Sequence, residues 1–379
     1  MCKTKRKFPL IKIIISGVLI LFLIVLGILQ NNVEVAEWWT RNIARGYQTF
    51  VGSIFKHLPF SFFEILAIAL IITAIVLVVK IIIDLVKLRF FKALNKGMFI
   101  VVVALGMVTT YVMTTSLAYY RKPIPITLYE EKVDKSKFNE VVQYFLDDFN
   151  SCSDSLEYET YGEVKMPYSA DELANKIALE YTKITDPYYS SFTTKPKSLL
   201  TSFLFLQFQI TGVYVGITGE VNYDSFMTHS EYPFTFAHEI AHSKGVMREN
   251  DAQLLATYIC LNSEDEFIRY SGYMYTFTSL LGLCRYTGNK DDYSLMRSQM
   301  NQNILLNYNF ISMYWEANDL LSHIGEFFNN LYLQIFGNET TDSYDDTPVV
   351  VNPNTNEITS FSRYQKLYFQ KYIDNGGTL

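Results

Sequence analysis

Cysteine and histidine are both scarce in this chain of 379 residues, which contains 4 cysteines and 5 histidines. One cysteine is Cys2, and the other three, Cys152, Cys260 and Cys284, could form one disulfide at most. A fold stabilised by a framework of disulfides is therefore excluded. The sequence also lacks internal repeats and a phosphate-binding glycine loop, which excludes repeat solenoids and P-loop nucleotide-binding proteins.

Positive charge is scarce in the last two thirds of the chain. Residues 1–120 contain 13 Lys and Arg against 4 Asp and Glu, whereas residues 121–379 contain 19 against 34. Such an acidic segment would repel phosphate, so the composition argues against nucleic acid as a partner.

Apolar residues are concentrated in the first third of the chain. Each of three runs, 11–29, 65–86 and 99–119, has about the 20 residues that a helix needs to cross a bilayer. We predict three transmembrane helices in a membrane anchor that comprises residues 1–120. Basic residues before the first run are typical of a signal peptide, but no small-x-small cleavage site follows, and we interpret this run as a retained anchor.

Basic residues also predict the orientation in the membrane. The N-terminus and the segment 87–96 are strongly positive, so both are predicted to be cytoplasmic. Three spans then place residues 121–379 outside the cytoplasm, as the extracytoplasmic domain of a multi-pass cell-membrane protein. Residues 33–60, between the first two spans, have apolar residues at helical spacing, which predicts either an interfacial amphipathic helix or a helix packed on the outer domain.

A further apolar stretch, residues 199–218, is an alternative fourth span that would place the C-terminal domain in the cytoplasm. Gln207, Gln209 and two glycines argue against a span. The second half of the stretch, residues 212–217, has the composition of a strand, in which residues 213–217 are the candidates for binding a substrate. We predict that this strand offers its backbone hydrogen bonds to an extended peptide.

The motif H-E-x-x-H is present at His238, Glu239 and His242. Residues i and i+4 of a helix lie on the same face, so the two imidazoles can share one zinc ion. The glutamate between them is placed to take a proton from a metal-activated water. Pro233 and Gly245 are the start and stop signals expected of a short helix around the motif.

Glu249, seven residues after His242, is predicted to be the third metal ligand. It precedes an apolar, helix-prone run, and the dipole of that helix favours negative charge at its first turn. Two histidines and one glutamate leave the fourth zinc position open, which is the catalytic pattern. Asp251 is the alternative third ligand, and the position of the third histidine in the metzincin pattern is occupied by Arg248.

The order of these features resembles a known family. Glu249-x-x-Ala252 after H-E-x-x-H resembles the gluzincin pattern, in which a glutamate on the following helix completes the zinc site. With three spans and Gly219-Glu220-x-Asn222 upstream, the chain resembles, over nearly its whole length, the domain-of-unknown-function 3810 family of bacterial membrane proteins. The resemblance implies a zincin-like domain in which the strand at 213–217 runs above the active-site helix.

We therefore expect an α+β fold, mostly α, in which a zincin-like extracytoplasmic domain, residues 121–379, follows three transmembrane helices. Residues 339–357 are polar and are expected to form an exposed loop. Helical patterns in the domain are found at residues 136–149, 171–182, 264–286, 291–306, 309–336 and 360–372.

The predicted function is that of a membrane-anchored zinc metallopeptidase acting on a peptide or protein substrate. Zn²⁺ is held by His238, His242 and Glu249, and Glu239 is the catalytic base. The alternatives are a non-catalytic zinc-containing peptide-binding or sensor module at the cell surface, a protease acting within the bilayer, and an amidase of cell-wall peptides. Polar residues on both sides of the motif argue against the protease within the bilayer.

Three residues are candidates for stabilising the oxyanion, namely Tyr273, His323 and Arg248. The sequence does not choose among them. Glu220 and Asn222 are interpreted either as groups that support the site or as surface turn residues. Neither the substrate nor the oligomeric state can be read from the sequence.

Overall fold

A computed structural model of the protein describes residues 8–336, 350–351 and 358–379. The described chain is mostly helical and includes a small sheet. It divides into two compact units. The N-terminal unit comprises residues 1–122 and 215–220, and the C-terminal unit comprises residues 123–214 and 221–379.

The described part of the N-terminal unit contains five α-helices. They are α1 (Leu10–Leu29), α2 (Val33–Trp39), α3 (Arg45–Phe55), α4 (Phe62–Val86) and α5 (Phe90–Thr114). A π-helical turn, Thr40–Ala44, joins α2 to α3, so that residues 33–55 are helical throughout, as the spacing of their apolar residues predicts. Three helices, α1, α4 and α5, are long and apolar enough to cross a membrane.

The helix that contains most of the third apolar run is longer at its N-terminal end than the run itself. Helix α5 begins at Phe90, well before residue 99, and the predicted basic loop is reduced to residues 87–89. Lys92 and Lys96 lie on the first turns of α5, where Lys96 forms an ion pair with Asp84 of α4. Lysine is a good helix former, so α5 includes Lys92 and Lys96 although both lie before the apolar run.

The segment 215–220 belongs to the N-terminal unit through specific hydrogen bonds. The Glu220 carboxylate accepts the backbone N–H groups of Phe62 and Phe63, each at 2.9 Å, at the first turn of α4. The Tyr47 hydroxyl donates to the Ile217 carbonyl at 2.8 Å. Because a carboxylate is favoured at a helix N-terminus, Glu220 acts as a cap of α4. It is buried and is therefore not a surface turn residue.

The C-terminal unit contains eleven α-helices among the described residues. They are α6 (Phe138–Asp154), α7 (Ala170–Thr182), α8 (Pro187–Ser190), α9 (Ser202–Gln207), α10 (Tyr232–Ser243), α11 (Glu249–Leu261), α12 (Glu266–Leu281), α13 (Asp292–Ser298), α14 (Gln302–Ala317), α15 (Ser322–Phe336) and α16 (Arg363–Asp374).

The described strands are short. They are β1 (Lys197–Ser198), β2 (Gly212–Val215), β3 (Glu220–Tyr223), β4 (Val350–Val351) and β5 (Ile358–Ser360). The first three form a sheet in the order β1-β3-β2, in which β1 and β3 are parallel. Strand β2 is therefore an edge strand, and β4 pairs with β5 in a separate antiparallel pair.

Helix α10 lies in the middle of the C-terminal core, where it packs against α7, α11 and α12. Its side chains Phe236, Ala237, Ile240 and Ala241 are fully buried. Aromatic side chains fill the rest of the core around α6, α12 and α16. The three cysteines of this unit are free and buried, and Cys260 lies in this core, as predicted.

Residues 199–218 do not form a helix long enough to cross a membrane. The only helix in this stretch is α9, which has six residues and is followed by the strand β2. The predicted break between residues 306 and 309 is wrong, because Asn301 caps the start of α14 and the helix continues to Ala317. Most of the predicted loop 339–357 lies outside the described residues, and Val350–Val351 within it form β4.

Candidate metal centre

The two histidines of the motif lie on α10, whose ends follow from the sequence. Pro233 lies in its first turn. Backbone N–H groups in the first turn have no acceptor within the helix, so the N–H that proline lacks costs no hydrogen bond there. After Ser243 the chain turns at Gly245, which has a φ of +77°, in the left-handed region that favours glycine. The short connection that follows leads directly to Glu249, the first residue of α11.

Three polar atoms of these two helices converge on one point. The Nε2 atoms of His238 and His242 are 3.0 Å apart. The Oε2 atom of Glu249 lies 3.2 Å from the first and 3.4 Å from the second. All three side chains are nearly buried, with 12%, 10% and 7% of their surfaces exposed.

The spacing of these atoms fits a tetrahedral metal ion. Zinc binds imidazole nitrogen and carboxylate oxygen at about 2.0–2.1 Å, which places neighbouring ligands about 3.3 Å apart. The observed separations of 3.0, 3.2 and 3.4 Å bracket this value. The donor set, with two nitrogens and one oxygen, is one that zinc accepts. The residues present therefore fit a zinc ion.

His242 has the ring orientation that metal binding requires. Its Nδ1 lies 2.7 Å from the Val246 carbonyl oxygen. A carbonyl can only accept a hydrogen bond, so Nδ1 carries a proton and the opposite nitrogen, Nε2, is the one that faces His238 and Glu249. Metal-binding histidines commonly donate their second N–H to a carbonyl in this way.

The charge of the centre also favours a cation. Burial alone would raise the pKa of Glu249, but the neighbouring imidazoles lower it to about 2, so this carboxylate is ionised. Burial lowers the pKa of His238. Burial acts in the same direction on His242, but the Glu249 and Glu239 carboxylates outweigh it and raise the pKa of His242 to about 9. The negative charge that attracts a proton to His242 would equally attract a metal cation.

Glu239 lies beside the three converging atoms and is not one of them. Ligand atoms of Glu239, His238 and His242 lie within 4.8 Å of one another, so Glu239 is close to both imidazoles. Burial raises the pKa of the Glu239 carboxyl to about 8. Its Oε2 atom is buried and has no hydrogen-bond partner among the described residues. Glu239 is therefore placed to act on a molecule bound next to the metal position.

The edge strand β2 runs next to Glu239. The backbone N–H of Tyr214 donates to the Glu239 carboxylate. A methyl group added at Gly212 would lie 2.6 Å from Glu239 Cγ and 2.7 Å from Oε1, so only glycine leaves room for the carboxylate here. The predicted strand at 212–217 is observed at 212–215. The sequence analysis missed the role of Gly212, because the strand and the motif are far apart in the chain.

Asp251, the alternative third ligand, is turned away from the histidines. Its carboxylate forms ion pairs with Arg363 of α16 at 2.6 Å and with Arg248 at 3.2 Å. These contacts fasten α16 to the first turn of α11, the turn that carries Glu249. The geometry thus favours Glu249 over Asp251 as the ligand.

The three oxyanion candidates are dispersed. Tyr273 is fully buried on α12, and its hydroxyl donates to Asp148 at 2.7 Å. Arg248 pairs with Asp251, and His323 is exposed on α15. Tyr273 is therefore a core residue engaged elsewhere. Asn222 is buried on β3 and donates to the Val213 carbonyl, so it supports the edge strand.

Lys244 is a second residue whose role the sequence did not indicate. It follows the last residue of α10 directly and is completely buried. Its ammonium group donates to the Phe192 carbonyl at 2.7 Å and to the Thr193 hydroxyl at 2.8 Å. A buried ammonium needs such acceptors, so the segment around residue 192 is fixed beneath the C-terminal end of α10.

The described chain is thus mostly helical, has three helices long and apolar enough to cross a membrane, and contains a buried His-His-Glu cluster. The model of the family described as "Protein of unknown function (DUF3810)" matches residues 39–350. The chain belongs to this family, which confirms that part of the resemblance inferred from its motifs. Comparisons with curated proteins and with solved structures give no match.

Replacing Glu249 with Ala is expected to lower the zinc affinity of the full-length chain at least about 100-fold. Removing a residue that only hydrogen-bonds to a metal ligand already lowers metal affinity by up to about 100-fold, and loss of a ligand itself should cost at least as much. Asp251→Asn is the matched control, since Asp251 lies on the same helical turn and is equally buried. Metal analysis after dialysis should give about one zinc per chain for the wild type and the control, and much less for Glu249→Ala. Equal zinc in all three proteins would contradict the assignment of Glu249.

Proposed function

We propose that this protein is a membrane-anchored zinc metallopeptidase that hydrolyses peptide bonds outside the cytoplasm. One observation carries the proposal. His238, His242 and Glu249 direct three ligand atoms at one buried point. The Glu239 carboxylate lies beside that point, and its Oε2 atom has no hydrogen-bond partner in the described part of the chain. Three protein ligands leave one zinc position open for water and substrate, whereas structural zinc sites use four.

The proposed reaction divides the chemistry between the metal and the chain. Zinc held by these three residues would act as a Lewis acid that makes water more acidic and polarises a peptide carbonyl. Glu239 accepts the proton that water loses when it attacks the carbonyl carbon, and then delivers a proton to the leaving nitrogen. His242 is held in its orientation by Val246 throughout.

Strand β2 would bind the peptide. It is an edge strand of the sheet that the described residues form. An extended substrate can add to such an edge through backbone hydrogen bonds, which accept many sequences. Because Gly212 and Tyr214 of this strand touch Glu239, a peptide lying along β2 would pass the catalytic carboxylate. This arrangement is the one expected of a zincin-like domain.

Three apolar helices and the distribution of basic residues support the proposed location. Positive residues concentrate at the N-terminus and in the segment 87–96, which favours a cytoplasmic position for both. An odd number of spans then places the metal centre on the opposite side of the membrane.

Glu239→Gln is expected to lower the rate of peptide cleavage by about 10²–10⁴-fold, the range that general acid–base catalysis contributes. Zinc content should stay at the wild-type value, because Glu239 is not a ligand in this account. The measurement is cleavage of a library of extended peptides by the full-length protein, with metal analysis of the same samples. Unchanged cleavage by Glu239→Gln would contradict the assignment, and zinc binding without any cleavage by the wild type would favour the non-catalytic binding module.

Gly212→Ala tests the contact between β2 and the catalytic carboxylate. The added methyl group must displace the flexible end of Glu239, so cleavage should fall by about 10²-fold, the cost of misplacing a catalytic group by about 1 Å. Gly282→Ala is the control, since a methyl group there meets no atom within 4 Å. Both variants should bind zinc like the wild type. Equal cleavage by Gly212→Ala and Gly282→Ala would show that β2 does not position Glu239.

A further inference from the structure

Helix α15 has its apolar stripe on the outside of the C-terminal unit. Residues at positions i, i+3 or i+4, i+7 and i+11 of a helix share one face. In α15 these positions are occupied by five exposed apolar side chains, namely Ile324, Phe327, Phe328, Leu331 and Ile335. On the other side of the helix, Leu333 is fully buried. Amphipathic helices of soluble proteins point such a stripe at the core, so this helix has the opposite orientation.

Helix α9 extends the same apolar surface. The Leu321 N–H donates to the Gln207 carbonyl at 3.0 Å. A methyl group added at Gly325 would lie 2.6 Å from the Phe208 carbonyl oxygen, so the start of α15 is packed on the end of α9. Leu200, Phe203 and Leu204, in and just before α9, are exposed as well.

The surface formed by α9 and α15 is almost free of charge. Glu326 is the only Asp, Glu, Lys or Arg in these two helices. The segment 121–379 as a whole carries 34 acidic residues, so these two helices contain few charged residues compared with the rest of the segment. An apolar surface rich in Phe and Leu is what interfacial helices present to the boundary between lipid headgroups and acyl chains. Patches of this kind on a domain surface mark an interaction site.

We propose that α9 and α15 form a docking surface for the lipid bilayer. A bilayer is the partner that this chain always has within reach, because three of its own helices are long and apolar enough to span one. The absence of carboxylates other than Glu326 from the surface avoids repulsion by anionic lipid headgroups.

Docking also identifies a substrate class, a step that rests on the proposed peptidase function. Four residues, 208–211, connect Gln207 at the end of α9 to Gly212 beside Glu239, and these five Cα-to-Cα steps can span at most about 18 Å. A peptide bound along β2 therefore lies close to the bilayer surface when α9 is docked. The substrates would be extended segments of membrane-embedded or lipid-anchored proteins next to the membrane.

The test uses the full-length chain in phosphatidylcholine liposomes, with a fluorophore attached to single cysteines that replace Phe203 or Phe327. Cys2→Ser supplies the background, since Cys152, Cys260 and Cys284 are buried. Leu179→Cys is the matched control, because Leu179, Phe203 and Phe327 are each 62% exposed. Quenching is measured with iodide in the water and with lipids brominated near the headgroup.

Docking predicts that brominated lipid quenches the labels at 203 and 327 several-fold more than the label at 179, and that iodide does the reverse. Equal quenching by iodide at all three positions would overturn the proposal. Protection of 203 and 327 from both quenchers would also overturn it, since a second copy or another protein would then cover the surface. The measurement needs no enzymatic activity, so lipid quenching in a protein that cleaves no peptide would refute the peptidase function and leave the docking surface intact.

Discussion

A carboxylate buried between two imidazoles is the constraint on which the centre depends. Glu249 is ionised and almost inaccessible to water, and such a charge is tolerated only when it is paired or coordinates a metal. The chain must therefore bring the first turn of α11 against the face of α10 that carries His238 and His242. The turn at Gly245 makes this possible, and the same turn supplies the Val246 carbonyl that orients His242.

The surroundings of the centre restrict its movement from several directions. Arg363 and Asp251 fasten the C-terminal helix α16 to the first turn of α11, and Lys244 fastens the segment around residue 192 to the end of α10. On the remaining side, β2 leaves room for the Glu239 carboxylate only because residue 212 is glycine. Precise placement of acid–base groups depends on such supporting contacts, since small displacements have large effects on rate.

The local part of this arrangement follows from the sequence, because helical geometry alone places His238 next to His242 and the glycine turn is a local signal. Contacts between distant segments do not follow from it. Asp251 meets Arg363 across 112 positions, and Glu220 meets Phe62 across 158. No periodicity or local propensity encodes such pairs, so the sequence could neither separate Asp251 from Glu249 nor recognise Glu220 as a cap. The start of α5 at Phe90 does not follow from the apolar run either, because hydropathy marks where a helix is apolar and not where it begins.

X-ray absorption at the zinc edge of the purified full-length protein tests the central claim most directly. The account predicts zinc with nitrogen and oxygen ligands only, at about 2.0–2.1 Å, with a scattering signature of two imidazoles and a coordination number of about four. Sulfur ligands at about 2.3 Å, a six-coordinate oxygen shell, or a protein that takes up no zinc would contradict it.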